Sequence, residues 1–268
     1  MNQRMTELKK GINSFQLKLL GLIFMTLDHI GLYICHTMDR NLLRIIGRIA
    51  APLFLYVTIN SISHTRNKIK YILRLYIAHI LICLTTTFVT TAGKEQFGSH
   101  TQFSILSTFL YTAIFICIIE KIADSPKNIT IRNLFLFSIV IGIIIIPIMV
   151  MLLFSRFEML YQIFLPNILI VPYSPLFILM GICWYFAKER KKQVIILAFF
   201  SCLSLIGTQL SARLNIWITM GFFTNSQFFM ILFAPFIYLY NGRKGKSMKY
   251  FFYIYYPVHI FVLMMIGQ

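Results

Sequence analysis

The chain has 268 residues, 58% of them hydrophobic and only 12% charged, with a mean hydropathy of +0.77 and a formal net charge of +17. A soluble domain is about half apolar and about a quarter charged, so a water-soluble fold is excluded. The basic residues stand in clusters at the ends of apolar runs, which points to membrane topology and anionic lipid and away from nucleic acid.

Nine apolar stretches read as membrane helices, at 15–35, 41–62, 70–91, 101–122, 132–154, 169–187, 193–212, 226–240 and 250–267. The start, MNQRMTELKKGINS, is followed by a long apolar segment without a small-residue cleavage site, so the first stretch is expected to remain as a helix. Two pieces, 156–168 and 214–223, are apolar but short, and read as interfacial or re-entrant. The run IGIIIIPIMVMLLF at 141–154 carries no ionisable group and is expected to face lipid, with a kink at Pro147. Cys35, Cys83, Cys117, Cys183 and Cys202 have no CxxC spacing and read as small core hydrophobes, with no metal site. The expectation is an all-α polytopic membrane protein forming a single domain over 1–268.

The connections alternate in charge. Arg4, Lys9 and Lys10 precede the first stretch. Further clusters fall at Arg66, Lys68 and Lys70, at Lys121, Lys127 and Arg132, at Lys188, Arg190, Lys191 and Lys192, and at Arg243, Lys244, Lys246 and Lys249. The intervening connections hold only Arg40, Lys94, Arg156 and Arg213. The positive-inside rule then gives a cytoplasmic N-terminus, nine crossings and an outward C-terminus, as in a bacterial cytoplasmic membrane.

Against this apolar background, ionisable residues inside the stretches stand out. Asp28 and His29 lie about 16–20 Å from the inner end of the first stretch, and Arg48 lies at a matching depth in the second. The short link HTMDR makes the two stretches antiparallel neighbours, so Asp28 or His29 can meet Arg48. Arg44 is one turn further out on roughly the same face. His79 and His259 each lie about 14 Å into their own stretches. A charge at the centre costs about 2.5–3.5 kcal/mol on insertion scales, so such groups should turn inward toward partners or water. Taken singly, Asp28–Arg48 also reads as a structural ion pair, His79 as a hydrogen-bonded core histidine, and Arg44 as a snorkelling residue.

The stretch YNGRKGKSMKYFFYIYYPVHI at 240–260 joins a basic segment to an aromatic belt, and Pro257 is expected to open the helix just before His259. The basic loop SHTRNKIKYILR at 63–74 offers Arg66, Lys68 and Lys70 to an anionic cofactor, or simply carries positive-inside charge.

Three segments, LKLLGLIFMTLDHIGLY, LRIIGRIAAPLFLYV and HTRNKIKYILRL, followed at the end of the chain by LYNGRKGKSMKYFFYIYYPVHI, resemble the TraX family in order and spacing. The likeness covers roughly the first 80 and last 40 residues, and the middle is generically apolar. It implies a polytopic inner-membrane protein in a family whose founding member acetylates the N-terminal amine of a conjugative pilin. The family is grouped with membrane acyltransferases that use acetyl-CoA. The motif positions carried over are Asp28, His29, Arg48 and His259.

Acetyl transfer needs a base for the attacking group and positive charge for the oxyanion. His29 or His259 suits the first role and Arg48 or Arg44 the second, with Asp28 paired to Arg48 and His79 in support. Acetyl-CoA would enter from the cytoplasmic face, its phosphates near Arg66, Lys68, Lys70, Arg243 and Lys244. The acceptor would be a peptide, pilin-like or glycan group, and membrane lipids surround the chain. A proton or ion relay in a transporter, and a non-catalytic assembly factor, are the competing readings.

Overall fold

The computed structural model describes residues 11–35, 38–92, 104–123, 130–153, 158–169, 171–214 and 226–267. The basic residues Arg4, Lys9, Lys10, Lys94, Lys127 and Arg156, and the apolar piece at 215–223, lie outside them. The described elements are helices: α1 Ser14–Tyr33, α2 Met38–Gly47, α3 Ala50–Ser63, α4 Lys68–Thr91, α5 Ile105–Ala123, α6 Thr130–Leu153, α7 Glu158–Phe164, α8 Ser174–Phe186 and α9 Arg190–Leu214. A 3-10 segment Gln227–Phe233 then leads into α10 Ala234–Leu239, and α11 Lys249–Ile266 closes the chain.

Five helical segments are long and apolar enough to cross a membrane: Ser14–Tyr33, Asp39–Ser63, Lys68–Thr91, Ile105–Ala123 and Arg190–Leu210. The chain is therefore a multi-pass membrane protein. Every one of the nine apolar stretches contains helix, but those of α6, α8, the 227–239 segment and α11 have shorter apolar helical cores. The stretch at 169–187 loses its first turn because Tyr173 and Ser174 adopt left-handed φ values of 65° and 66°, which delays α8 to residue 174. Of the two short pieces, the first contains α7, whose end is tied inward by Tyr76 Oη donating to the Phe164 carbonyl at 2.7 Å.

Asparagines start two of the long helices. Asn13 and Gln16 exchange side-chain-to-backbone bonds of 2.9 and 3.0 Å in a reciprocal cap of α1. Asn67 accepts from the Lys70 backbone at 2.9 Å to start α4. Near Asn13 the chain is laced to the segment before α11: Ile12 N–H donates to the Leu239 carbonyl and Ser14 N–H to that of Arg243, at 2.8 and 2.7 Å.

α3 is the centre of the molecule. Ten of its residues are buried, and it packs against α1, α5, α8 and the 3-10 segment. Tyr56 on α3 meets Trp184, Phe233 and Tyr240 edge-to-face at 5.6–5.7 Å, and its hydroxyl donates to Gln193 at 3.1 Å. α6 is the opposite case. Ile146, Leu152 and Leu153 are each more than half exposed, which is the outward-facing character expected of the isoleucine run at 141–154. Pro147 sits inside an unbroken α6. Pro257 likewise lies within a continuous α11, so the expected opening before His259 does not occur. Proline removes only one helical bond, here to the Tyr253 carbonyl, and α11 is held in place by α1 and α4 on its flanks.

The α1–α2 contact depends on glycine. A Cβ on Gly47 would lie 2.3 Å from Asp28 Cβ, and one on Gly31 would lie 3.0 Å from Leu43 Cβ. We expect Gly47→Ala to destabilise the chain by about 1–3 kcal/mol through forced separation of α1 and α2. Gly142→Ala, where the nearest atom would be 3.6 Å away, should be neutral or slightly stabilising. Thermal unfolding of the two variants in detergent reads the contrast, and equal midpoints would contradict it.

Candidate functional site

The site is built around two consecutive residues of α1 that point to different neighbours, as residues about 100° apart on a helix must. Asp28 faces the α2–α3 junction and His29 faces α11.

The junction arises from sequence. Pro52 has no N–H, so the Arg48 carbonyl four residues earlier receives no helical bond. The helix interrupts at Arg48 and Ile49, where Ile49 N–H reaches back only three residues, to Ile46, at 3.3 Å. Arg48 is thereby set into the interior at 4% exposure. Its guanidinium reaches Asp28 Oδ1 at 3.3 Å and Gln227 Oε1 at 3.3 Å, and lies 5.9 Å from the Tyr173 ring centroid. Arg44, one turn earlier, reaches Asp28 Oδ2 at 3.1 Å. One carboxylate thus serves two guanidiniums, leaving a net positive charge in a buried layer. The Arg48 Nε is buried and has no hydrogen-bond partner.

On the other side, His29 Nδ1 and His259 Nε2 are 2.8 Å apart, with the rings stacked at 5.0 Å. His259 Nδ1 lies 3.0 Å from the Tyr255 carbonyl oxygen. A carbonyl only accepts, so His259 Nδ1 carries a proton, and in its neutral form His259 offers its Nε2 lone pair. His29 Nδ1–H then donates to it, and His29 Nε2 keeps a free lone pair. Tyr256 stacks on both rings, at 6.4 Å from His29 and 5.5 Å from His259. Tyr255 is fixed in turn by a 2.8 Å bond between its hydroxyl and Thr26 on α1.

Asp28, Arg44 and Arg48 therefore come together, as do His29 and His259. His79 does not join them. It is buried on α4 beside Cys83, whose Sγ is 3.7 Å from its ring nitrogens. Of the five residues expected to hold a cofactor, Lys68 is ion-paired with Glu120, which also accepts from the Tyr185 hydroxyl. Arg66, Lys70, Arg243 and Lys244 are exposed. Gln227, Tyr173, Tyr255, Tyr256 and Thr26 are site neighbours that sequence reasoning missed. A glutamine or tyrosine in an apolar run gives no depth signal of its own. Among the described residues no group of His, Cys, Asp or Glu could hold a metal ion.

This polar layer lies within the region matched by a family model. The model described as TraX protein matches residues 14–267. The chain is also similar to a protein of Dichelobacter nodosus named "Probable fimbrial assembly protein FimC, serogroup H1", with 24% identity over 258 residues that cover 94% of each chain. No solved structure matches. The family match spans Asp28, His29, Arg48 and His259 together with nearly all of the chain, so this protein belongs to the TraX family.

Proposed function

We propose that the chain is an acetyltransferase of the bacterial cytoplasmic membrane that moves an acetyl group from acetyl-CoA to a pilin-like or other peptide amine, or to a hydroxyl. The observation that carries this reading is the ordered pair Tyr255 carbonyl–His259–His29, which leaves a lone pair on His29 Nε2 beside an Arg-Asp-Arg cluster with excess positive charge. Membership in a family whose founding member acetylates a pilin agrees with it.

In this reading the acceptor attacks the thioester carbon and His29 Nε2 takes its proton. The positive charge so formed is shared with His259 through the 2.8 Å contact. The tetrahedral oxyanion is stabilised by Arg48 or Arg44, which are already in place and need not reorganise. Collapse of that intermediate breaks the carbon–sulfur bond, and the departing thiolate recovers the proton from His29. Asp28 holds both guanidiniums in place. The nine-crossing topology with the basic connections inside would put acetyl-CoA on the cytoplasmic side.

The name of the Dichelobacter relative favours a second reading, an assembly factor without catalysis. The two readings separate experimentally. We expect His29→Ala and His259→Ala each to insert normally and to lower acetyl transfer about 10²–10⁴-fold, measured by mass spectrometry of acceptor peptides. Full pilus assembly with unacetylated pilin in wild-type cells would instead favour the assembly role, and normal turnover by both variants would remove the histidines from the mechanism. Arg48→Lys keeps the charge but loses the fork to Asp28 and Gln227. It should lower turnover about 10²–10³-fold with a smaller effect on acetyl-CoA affinity, read as separate kcat and KM changes.

A further inference from the structure

A cleft of about 790 Å³, its open mouth included, lies between α1, α3, α4, α5 and α11. Its lining sorts by position along the helices. Lys18, Ser61 and Tyr71 lie near the ends of their helices that meet the basic segments at 63–70 and 243–249. Leu22 and Thr58 follow deeper in. Tyr256 closes the far end, and Tyr256 is the ring stacked on both His29 and His259. The cleft therefore leads from the basic end of the bundle to Tyr256, the ring that separates it from the histidine pair. On α1 its lining runs from Lys18 to Met25, about 10 Å of helix, and His29 follows one turn further on, behind Tyr256.

Its walls are mostly apolar, with two exceptions. Tyr71, Thr58 and Ser61 form one cluster of hydroxyls. The half-buried Lys18 ammonium lies 5.5 Å from the Phe252 ring centroid, and Lys244 is near enough to repel it. The ion pairs among the described residues join Asp28 to Arg44 and Arg48, Lys68 to Glu120, and Lys192 to Glu189. No described carboxylate therefore neutralises Lys18 or Lys244. A cation at the mouth with a second one near it, a narrow apolar body with one hydroxyl cluster, and imidazoles just behind the ring that closes the far end fit one kind of ligand. It has an anionic head and a long uncharged arm with amide groups, and carries its reactive carbonyl at the tip.

We propose that this cleft receives the pantetheine arm of acetyl-CoA. The diphosphate rests at Lys18 and Lys244, the arm's amides bond to the Thr58–Ser61–Tyr71 hydroxyls, and the thioester passes Tyr256 to reach His29. This rests on the acetyl-transfer reading of the histidine pair. It moves the head-group site away from the 66–70 loop, where Lys68 is already committed to Glu120. A phospholipid shares the anionic head but has neither the amides nor an acyl group at the far tip.

The test uses the purified full-length chain in detergent. Lys18 and Lys70 are labelled with an amine-reactive reagent, with and without CoA or phosphatidylglycerol, and quantified by peptide mass spectrometry. CoA should shield Lys18 and leave Lys70 unchanged. In parallel, CoA and adenosine 3′,5′-bisphosphate, which lacks the arm, are titrated onto the wild type, Thr58→Trp, Ser61→Trp and Lys18→Gln. The two tryptophan variants should bind CoA about tenfold or more weakly while keeping the bisphosphate, and Lys18→Gln should weaken both ligands. Bisphosphate binding reports that the filled variants are folded, and if neither folds, the labelling of the unaltered chain decides. Tryptophan variants that bind CoA as the wild type does, or shielding of Lys18 by the phospholipid and not by CoA, would overturn the cleft assignment and leave acetyl transfer standing. A wild-type chain that binds no CoA at millimolar concentration overturns both.

Discussion

The arrangement of this protein hangs on one shared carboxylate. Asp28 is 8% exposed and sits between Arg44 and Arg48, in a setting where an unpaired charge is strongly disfavoured. Without it, two guanidiniums would face each other at close range inside an apolar bundle. The cluster exists only because α1 and α2 approach until Gly47 touches Asp28, a distance at which no side chain fits. The break in the helix after Gly47 then turns Arg48 inward to Gln227 instead of letting it run on along an outer face. Glycine, proline and aspartate each supply a different part: the approach, the break and the counter-charge.

Fixing α1 by way of Asp28 also fixes His29, the next residue. The 100° step of a helix aims it at α11, where His259, Tyr255 and Tyr256 form a stacked wall. α1 is therefore the shared support of two unlike surfaces, one cationic and one of neutral rings, and neither can move without the other. Thr26 adds a second tie, since its hydroxyl bonds Tyr255 one turn below His29. The lacing of Ile12 and Ser14 to residues 239–243 holds the basic ends of α1 and α11 in register.

Much of this was legible from sequence, and the limit has a physical explanation. Depth arithmetic and the short HTMDR link were enough to bring Asp28 to Arg48, because neighbouring antiparallel helices leave little freedom. The same arithmetic put His259 in the layer. It could not put His259 against His29, since 230 residues separate them and nothing local says that α11 packs on α1. His79 shows the converse: depth alone places it near the layer, whereas the rotation of α4 turns it toward Cys83. Lys68 read as a free cation because its partner Glu120 stands on another helix. Of the nine apolar stretches, five form helices long and apolar enough to cross a membrane. Hydropathy sees apolar length, but a left-handed turn at Tyr173 and a 3-10 segment at 227–233 shorten the helices that such stretches form.

In the acetyl-transfer reading, the unequal charge of the layer constrains what can react there. Two guanidiniums against one carboxylate give a positive potential, which disfavours an incoming ammonium and favours a neutral nucleophile. An amine acceptor must then arrive without its extra proton. It becomes positive only after attack, beside an imidazole with a free lone pair and a second imidazole to share the charge. A hydroxyl acceptor arrives neutral already, and needs that lone pair at the moment of attack. The same potential that rejects the protonated amine would stabilise the oxyanion, so in this reading one cluster would both select the reactive form of the acceptor and lower the barrier it meets. Within the acetyl-transfer reading, that double use explains why a bundle of apolar helices keeps three charges in its interior.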